Sequence, residues 1–472
     1  MADSTSSGFV VLHLGLGSFH RAHQAVYLQA LIDTGDQRWS LVGANLRPNM
    51  ADVENALRAQ GGRYTLETVS PAGAYRYQRI EAIREVLPYD EKLTEVVAQG
   101  ADPHTRVISF TVTEAGYYLD SNDRLDFSVA DLANDLDRAR TGHAGSTIYG
   151  AVCAILGARR AANAGPVTLL NCDNLRHNGD RFRKGLLEFI ERAGPSGLLD
   201  WVRAQTTSPN AMVDRITPRP PPELRQRVFE ATGWDDAAPV TGESFIQWVI
   251  EDDFVNGRPD WGRVGVQLVD SVSPYEEAKI RILNASHSCI AWAGTLVGLQ
   301  YIHEGTHMAS IHRMAFDYVT DDVIPCLNSP ERPSPVDLPA YRDVVLERFG
   351  NPAIRDTNQR VAMDGFSKIP GFIAPTVRER LARGESIDSV AMLPALFLAF
   401  LQRWHRGALP YVYHDQGMDE SAAHAICDAA DPVAAMSADR TLWGGTAGDA
   451  RLVEAIRKAD ARVQAFIQRS GK

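Results

Sequence analysis

The stretch FVVLHLGLGSFHRAH, residues 9–23, decides the fold. It begins with a β-rich apolar run, turns at Gly15-Leu16-Gly17, and continues with the apolar spacing of a helix. A second β-rich run follows at residues 39–46. Strand, glycine turn, helix and strand in close succession are typical of a βαβ unit. The sequence therefore predicts a parallel sheet that starts near the N-terminus.

The rest of the chain extends this pattern and then changes character. Further β-rich runs lie at residues 63–69, 75–83, 106–112, 167–170 and 265–269, with helical patterns between several of them. Such alternation favours a mostly parallel sheet with helices on both faces. From Pro274 onward helical patterns dominate, most clearly at residues 276–299, 341–349, 375–383, 391–405 and 450–468. We predict an α/β fold, with a Rossmann-type dinucleotide-binding domain (residues 1–275) followed by a mainly α-helical C-terminal domain (residues 276–472).

Length and composition exclude several classes of protein. The chain has 472 residues, whereas one hydrophobic core rarely exceeds about 250–300 residues, so we expect two domains. Apolar residues make up 44% and the net charge is -11, which suits a globular protein and argues against a nucleic-acid-binding face. The longest apolar run, residues 390–401, is shorter than the roughly 20 residues that a membrane span needs. We expect no nucleic-acid or membrane partner.

The cysteines and the N-terminus add two expectations. None of the cysteines forms a C-x-x-C pair, so the sequence indicates neither a zinc knuckle nor a redox motif. The scattered cysteines are Cys153, Cys172, Cys289, Cys326 and Cys427. Residues 1–8 lack a basic segment followed by an apolar one, so no secretory leader is expected and the cytoplasm is the default location.

The glycine turn is the candidate nucleotide site. Glycines at positions 15 and 17 permit a tight turn and let a pyrophosphate approach the backbone. The full fingerprint is G-x-G-x-x-G, but His20 occupies the third glycine position. A turn that merely joins strand to helix is the alternative, and an exposed helix start is the plain alternative for the side chains. The predicted cofactor-binding residues here are Gly15, Gly17, Ser18, Phe19 and His20.

The end of the second strand bears on the choice of cofactor. An acid at this place binds the ribose 2′-hydroxyl of NAD and repels the 2′-phosphate of NADP. The sequence here is NLRPNM, residues 45–50, and no acid occurs before Asp52. Arg47 could accept a phosphate or stack on adenine. We expect NAD as the cofactor, with NADP left open.

A helix that begins near Pro274 carries a candidate catalytic trio. At about 100° per residue, Asn284 lies about 140° and His287 about 80° from Lys279, so all three share one side. A solvated polar stripe is the ordinary alternative. Oxidation of an alcohol to a ketone needs a base for the hydroxyl proton and a donor for the developing alkoxide. Lys279 suits the first role if burial lowers its pKa, and Asn284 suits the second.

Several long strings make the sequence resemble the polyol-specific long-chain dehydrogenases, the mannitol dehydrogenase family. They are LGLGSFHRAH (residues 14–23), TVTE (111–114), NCDN (171–174), MVDRITP (212–218), FIQWV (245–249) and the helix with Lys279, Asn284 and His287. Residues 60–64 and 280–292 look most like the members that oxidise D-arabinitol. The resemblance implies NAD-dependent oxidation of D-arabinitol to D-xylulose, with mannitol or another hexitol or pentitol as the alternative substrate, and it favours a monomer.

The resemblance also implies roles for individual residues. Lys279 matches a general base that works without metal, Asn174 and Asn284 match an oxyanion hole, and His287 matches a substrate-binding histidine. Glu114 matches a glutamate linked to proton exit. The remaining matches, to substrate-contacting positions, are Asp214, Arg360 and Lys368. A different Rossmann-type enzyme, such as a methyltransferase, and a catalytically silent nucleotide-binding module are the alternatives from other classes.

Overall fold

The computed structural model describes residues 8–120 and 122–470. Residues 1–7, on which the interpretation of the N-terminus rests, lie outside the described residues. The described chain forms two compact units that divide between Ser273 and Pro274, with Pro71–Gly73 grouped with the second unit.

The first unit is built on a six-stranded sheet. The strands of this unit are β1 (Phe9–Leu14), β2 (Trp39–Ala44), β3 (Tyr64–Val69), β4 (Tyr75–Ile80), β5 (Ile83–Val86), β6 (Thr105–Phe110), β7 (Val167–Asn171), β8 (Thr206–Thr207), β9 (Ala211–Asp214), β10 (Val240–Glu243), β11 (Gln247–Glu251) and β12 (Gln267–Val269). The main sheet has the order β5-β2-β1-β6-β7-β8, and its neighbouring strands are all parallel. This is the strand order of a dinucleotide-binding Rossmann fold. The α/β prediction is confirmed.

Both faces of this sheet are buried. Along β1, Val10 and Leu12 belong to one apolar cluster and Val11 belongs to another, because successive strand residues point to opposite faces. The unit also contains helices and short 3-10 turns. They are Ser18–Ala22, Gln24–Asp33, Pro48–Met50, Ala51–Ala59, Thr94–Gly100, Glu114–Tyr117, Ala130–Arg140, Ile148–Ala161, Asn178–Ala193, Leu198–Gln205, Leu224–Thr232 and Trp261–Val264.

Three of the β-rich runs form strands outside the main sheet, contrary to the expectation of one sheet. They are residues 63–69, 75–83 and 265–269, which contain β3, β4 and β12. The strands β10, β3 and β4 form one three-stranded sheet, and β12, β11 and β9 form another. The connection between β3 and β4, residues 70–74, is too short for a parallel crossover, which takes a dozen or more residues. These two strands therefore pair as an antiparallel hairpin.

The second unit is mainly helical, as predicted. Its helices are Ser273–Ala278, Lys279–Asn284, Ala285–Leu296, Ile302–His307, Ala309–Asp317, Tyr318–Val323, Ile324–Leu327, Leu338–Phe349, Asn358–Ala362, Gly365–Lys368, Ile369–Ile373, Ala374–Ala382, Met392–His405, Glu420–Asp428, Pro432–Ser437, Arg440–Trp443, Gly444–Thr446 and Ala450–Ser470. The apolar helix Met392–His405 is buried from Met392 to Leu401, and the C-terminal helix Ala450–Ser470 packs against it. Within the described residues, no helix combines the length and apolar character that crossing a membrane requires.

Three segments of this unit are π-helical: Lys279–Asn284, Tyr318–Val323 and Ile369–Ile373. The first contacts the other two. π-Helical turns are rare and occur often at functional sites, because their i→i+5 hydrogen bonds change which side chains lie above one another. The first of them spans two of the predicted catalytic residues.

Candidate functional site

The glycine turn after β1 has the geometry that a nucleotide-binding turn needs. Gly15 has φ of +113°, and a Cβ atom there would lie 3.1 Å from the carbonyl oxygen of Thr111. Glycine is therefore required at this position. A Cβ atom on Gly17 would meet nothing within 4 Å, so the backbone is open to a ligand. The side chain of Asn45 fixes the turn by accepting a hydrogen bond from the Leu16 N–H at 3.0 Å.

The side chains that follow the turn point mostly into the protein. His20 is 1% exposed, and its ring stacks on His13 with 3.4 Å between centroids. Burial holds the pKa of His20 well below its usual value, so the ring is neutral. The imidazole of His20 is enclosed, and its part in holding the cofactor stays a prediction. Phe19 stacks on His23, and Ser18 is half-buried at the first helical position.

Arg47 lies three residues beyond β2 and is exposed. Its guanidinium donates to the Asp131 carboxylate at 2.9 Å and to the Tyr118 hydroxyl at 2.7 Å. Arg47 is thus paired with an acid in the first turn of the helix Ala130–Arg140. Sequence reasoning missed this pairing.

Glu114 and Asn174 lie at the same edge of the main sheet as the glycine turn. Glu114 follows β6 and Asn174 follows β7, two neighbouring parallel strands, and both side chains are exposed. The structure thus brings the glycine turn, Arg47, Glu114 and Asn174 to the carboxyl ends of the strands, where ligands bind in such sheets. Asp214 is buried at the end of β9 and belongs to a different sheet.

A buried polar network, which sequence reasoning also missed, adjoins Asn174. The Asn171 amide donates to the Tyr117 hydroxyl at 2.6 Å, and that hydroxyl donates to Asp173 at 2.7 Å. The Asn178 amide also donates to Asp173, at 3.3 Å. Burial raises the pKa of Asp173 to about 6, although these hydrogen bonds oppose the rise. The side chains of Tyr117 and Asn178 therefore hold Asp173, the residue beside Asn174, and Asn171 in turn holds the Tyr117 hydroxyl.

In the second unit, Lys279 and Asn284 open and close the first π-helical segment. The i→i+5 hydrogen bonds of a π-helix widen its turn, so residues five apart are closer in angle around the axis than in an α-helix. The angle of about 140° holds for a regular α-helix, and the π-helical segment reduces it, which keeps the two residues on one side of the helix. Lys279 is 9% exposed, and Asn284 is half-buried.

His287, on the same helix, lies beside an acid that sequence reasoning missed. Its Nε2 is 3.2 Å from Oδ2 of Asp356, and its ring stacks on Phe349. Burial lowers the pKa of His287, while Asp356 opposes that shift. Arg360 donates to Asp356 at 2.7 Å. Despite burial, which acts in the other direction, His287 and Arg360 hold the pKa of Asp356 well below its usual range.

Lys368 belongs to the same group of side chains. Its amine donates to the Val361 carbonyl at 2.6 Å, and burial lowers its pKa to about 8. The nearby charge of Lys368 contributes to the low pKa of His287. The structure thus brings His287, Arg360 and Lys368 together around Asp356. Among the described residues, no three His, Cys, Asp or Glu side chains are grouped so that they could hold a metal ion.

Known proteins resemble the chain along nearly its whole length. The family model "Mannitol dehydrogenase Rossmann domain" matches residues 10–263, and "Mannitol dehydrogenase C-terminal domain" matches residues 271–464. A D-arabinitol 4-dehydrogenase of Ralstonia nicotianae is 58% identical over 97% of both chains. Another, of Klebsiella pneumoniae, is 54% identical over 97% of this chain and 99% of its own.

A solved structure is also similar to this chain along nearly its whole length. Pseudomonas fluorescens mannitol 2-dehydrogenase, in a ternary complex with NAD and D-mannitol, is 33% identical with a TM-score of 0.82. The match covers 99% of this chain and 95% of that one. The chain belongs to the mannitol dehydrogenase family.

Proposed function

We propose that the chain is an NAD-dependent polyol dehydrogenase that interconverts D-arabinitol and D-xylulose, with Lys279 as the general base and no metal. The observation that carries the choice of substrate is the identity of 54–58% with two D-arabinitol 4-dehydrogenases along nearly the full chain. The coarser assignment, an oxidoreductase acting on secondary alcohols, follows from the family itself.

The first unit fits a dinucleotide. Its strand order is that of a Rossmann fold, Gly15 has the backbone conformation of a tight turn, and the space above Gly17 is open. When bound, the nicotinamide cofactor accepts the hydride that leaves the carbinol carbon. Gly15, Gly17, Ser18 and Phe19 hold it in this proposal, with His20 acting through its backbone and packing.

The second unit supplies the acid–base chemistry. Loss of a hydride from the carbinol carbon must be matched by loss of the hydroxyl proton, and the neutral amine of Lys279 accepts that proton. Lys279 is 9% exposed, so its side chain lies largely out of bulk solvent. Asn284, on the same π-helical segment as Lys279, donates its amide to the oxygen on which negative charge develops.

Substrate hydroxyl groups have several partners in this proposal. His287 is neutral because of its low pKa, so one ring nitrogen donates and the other accepts. Asp356 fixes the orientation of that ring and of Arg360. Lys368, Asp214, Asn174 and Glu114 keep the roles that the family resemblance gives them, as predictions for mutagenesis.

Mannitol 2-dehydrogenase activity is the second candidate. The relative solved with NAD and D-mannitol favours it, and its similarity covers nearly the full chain. The lower identity of 33%, against 54–58% for the D-arabinitol enzymes, ranks it second.

A panel of polyols tests the proposal. D-Arabinitol, L-arabinitol, D-mannitol, D-sorbitol, xylitol and ribitol are each supplied with NAD and with NADP, and the ketose products are identified by chromatography. We expect the highest kcat/KM with D-arabinitol and NAD, and D-xylulose as the product. A higher kcat/KM with D-mannitol would support the second candidate, and inactivity with every polyol would contradict both.

A further inference from the structure

Arg47, Tyr118 and Asp131 form a cluster at the carboxyl ends of the strands. Asp131 accepts from Arg47 at 2.9 Å and lies 3.5 Å from the Tyr118 hydroxyl. The three residues come from the loop after β2, the loop after β6, and the first turn of the helix Ala130–Arg140. The side chains of Arg47 and Asp131 are 44% and 51% exposed, so a ligand can reach both.

Tyr118 is held towards this cluster by an unusual backbone. Its φ is +50°, in the left-handed region that residues other than glycine rarely adopt. Its hydroxyl accepts a hydrogen bond from Arg47 at 2.7 Å. Such strained positions recur where a side chain must be aimed at a ligand. The cluster therefore has the marks of a constructed site.

A cavity of about 330 Å³ adjoins the cluster. Leu46, which directly precedes Arg47, lines it together with Tyr89 and several charged residues. The charged residues are Glu91, Asp131, Asp135 and Arg138. Because these charged residues are three acids and one base, the cavity disfavours a group with two negative charges.

We propose that Asp131 selects NAD over NADP, an inference that rests on the proposed function. In a Rossmann fold, the residues that follow the second β-strand, which is β2 here, bind the adenosine ribose. An acid at that place excludes the 2′-phosphate. This chain has Arg47 in that loop but no acid beside it. Asp131 supplies the missing carboxylate from another segment and engages the guanidinium that a 2′-phosphate would otherwise bind.

Two consequences follow for the cofactor. The 2′-phosphate of NADP carries about −1.5 to −2 charge and must displace Asp131 from Arg47 before it can form a charge-assisted bond. The 2′-hydroxyl of NAD is neutral and can donate to the Asp131 carboxylate without displacing it. Removing the charge of Asp131 should therefore favour NADPH specifically.

Equilibrium binding tests this inference without relying on turnover. The dissociation constants of NADH and NADPH are measured by calorimetry for the wild type, Asp131→Asn, and the control Asp137→Asn. Asp137 lies on the same helix, is exposed, and pairs with Arg140 at 2.9 Å, so it matches the change in charge. We expect the wild type to bind NADH at least tenfold more tightly than NADPH.

The expected effect of Asp131→Asn is a fall of at least tenfold in the Kd of NADPH, with the Kd of NADH changed by less than threefold. The double variant Arg47→Ala/Asp131→Asn should lose this gain, because the freed guanidinium is the group that binds the phosphate. Asp137→Asn should leave both constants unchanged.

Three results would overturn the inference: a wild type that prefers NADPH, an unchanged preference in Asp131→Asn, or an equal gain in Asp137→Asn. The last would indicate a general effect of net charge. Binding of neither cofactor by the wild type would contradict the proposed function itself, so the two failures are distinguishable. Circular dichroism of each variant checks that the fold is retained.

Discussion

Asp356 is the residue that organises the group around His287. It accepts from Arg360, lies 3.2 Å from His287 Nε2, and has 9% of its side chain exposed. Asp356 and Arg360 are four residues apart, and their opposite charges at that short spacing could have been recognised, although Asp356 lies before the helix Asn358–Ala362 that carries Arg360. The contact of Asp356 with His287 could not, because it joins residues far apart in the sequence and depends on how the helices pack.

Replacing Asp356 by Asn should reduce stability. At pH 7 we expect a loss of roughly 1.5–3 kcal/mol in the free energy of unfolding, the usual contribution of hydrogen bonds to a charged group. Because the pKa of Asp356 is lowered in the folded state, its contribution is complete above the unfolded pKa of about 3.9 and is lost as the pH falls through the folded value. Urea unfolding at several pH values measures both effects.

Asp343→Asn is the matched control for this variant. Asp343 pairs with Arg342 in the same unit, but 62% of its side chain is exposed. Exposed ion pairs contribute at most about 1 kcal/mol, so this variant should remain close to the wild type. Equal losses in the two variants would contradict the organising role of Asp356.

The helix that carries Lys279 shows what sequence patterns can predict about an element. The pattern predicts a helix over residues 276–299, and the structure has a continuous one from Ser273 to Leu296. Its π-helical segment could not be predicted, because periodicity reports the buried face and not the hydrogen-bond spacing. The Tyr318 hydroxyl donates to the Arg281 carbonyl inside this segment at 2.8 Å, and that contact depends on a distant helix.

Tyr318→Phe should therefore slow the reaction. A widened helical turn leaves backbone carbonyls without their usual partner, and the buried Tyr318 supplies one. Without it we expect Lys279 and Asn284 to shift, with a fall of about tenfold to a hundredfold in the rate of hydride transfer measured in a single turnover. The KM for the polyol should change much less.

Tyr411→Phe is the control for this prediction. Its hydroxyl bonds to Thr295, on the same helix but beyond the π-helical segment, at 2.7 Å. This variant should match Tyr318→Phe in thermal stability while keeping nearly the wild-type rate. Equal rates in both variants would mean that the Tyr318 hydroxyl has only a structural role.

The end of β7 carries a pH-dependent element. The pKa of Asp173 is raised to about 6 by burial, so its protonated form favours the folded state. The corresponding stability is complete below the unfolded pKa of about 3.9 and is lost as the pH rises through about 6. Between pH 4 and pH 7.5, the unfolding free energy of the wild type should fall by roughly 2–3 kcal/mol relative to Asp173→Asn. Parallel pH profiles from urea unfolding would contradict this.

For the whole molecule, the order of elements could be predicted well and their pairing less well. The β1 run, the glycine turn and the helical second half are local patterns, and the α/β fold that they predict is confirmed. The run at residues 265–269 joins a small separate sheet instead of the main one. Strand pairing depends on contacts between distant segments, which single-sequence patterns do not contain.

The proposed function makes one prediction about metals. In the proposed function the base is the amine of Lys279, so proton transfer requires no metal ion. Dialysis against EDTA should leave kcat and KM for D-arabinitol unchanged, as measured by NADH absorbance. Loss of activity that added Zn²⁺ restores would contradict a metal-free mechanism.

The most direct test of the account is the rate of hydride transfer in Lys279→Ala. A general base contributes about 10²–10⁴-fold, so the single-turnover rate should fall at least that far while the Kd of NADH stays within threefold of the wild type. Added primary amines should restore part of the rate, and Lys458→Ala, which removes an exposed lysine, should have no effect. A fall of less than tenfold in Lys279→Ala, without rescue by amines, would show that another group removes the proton.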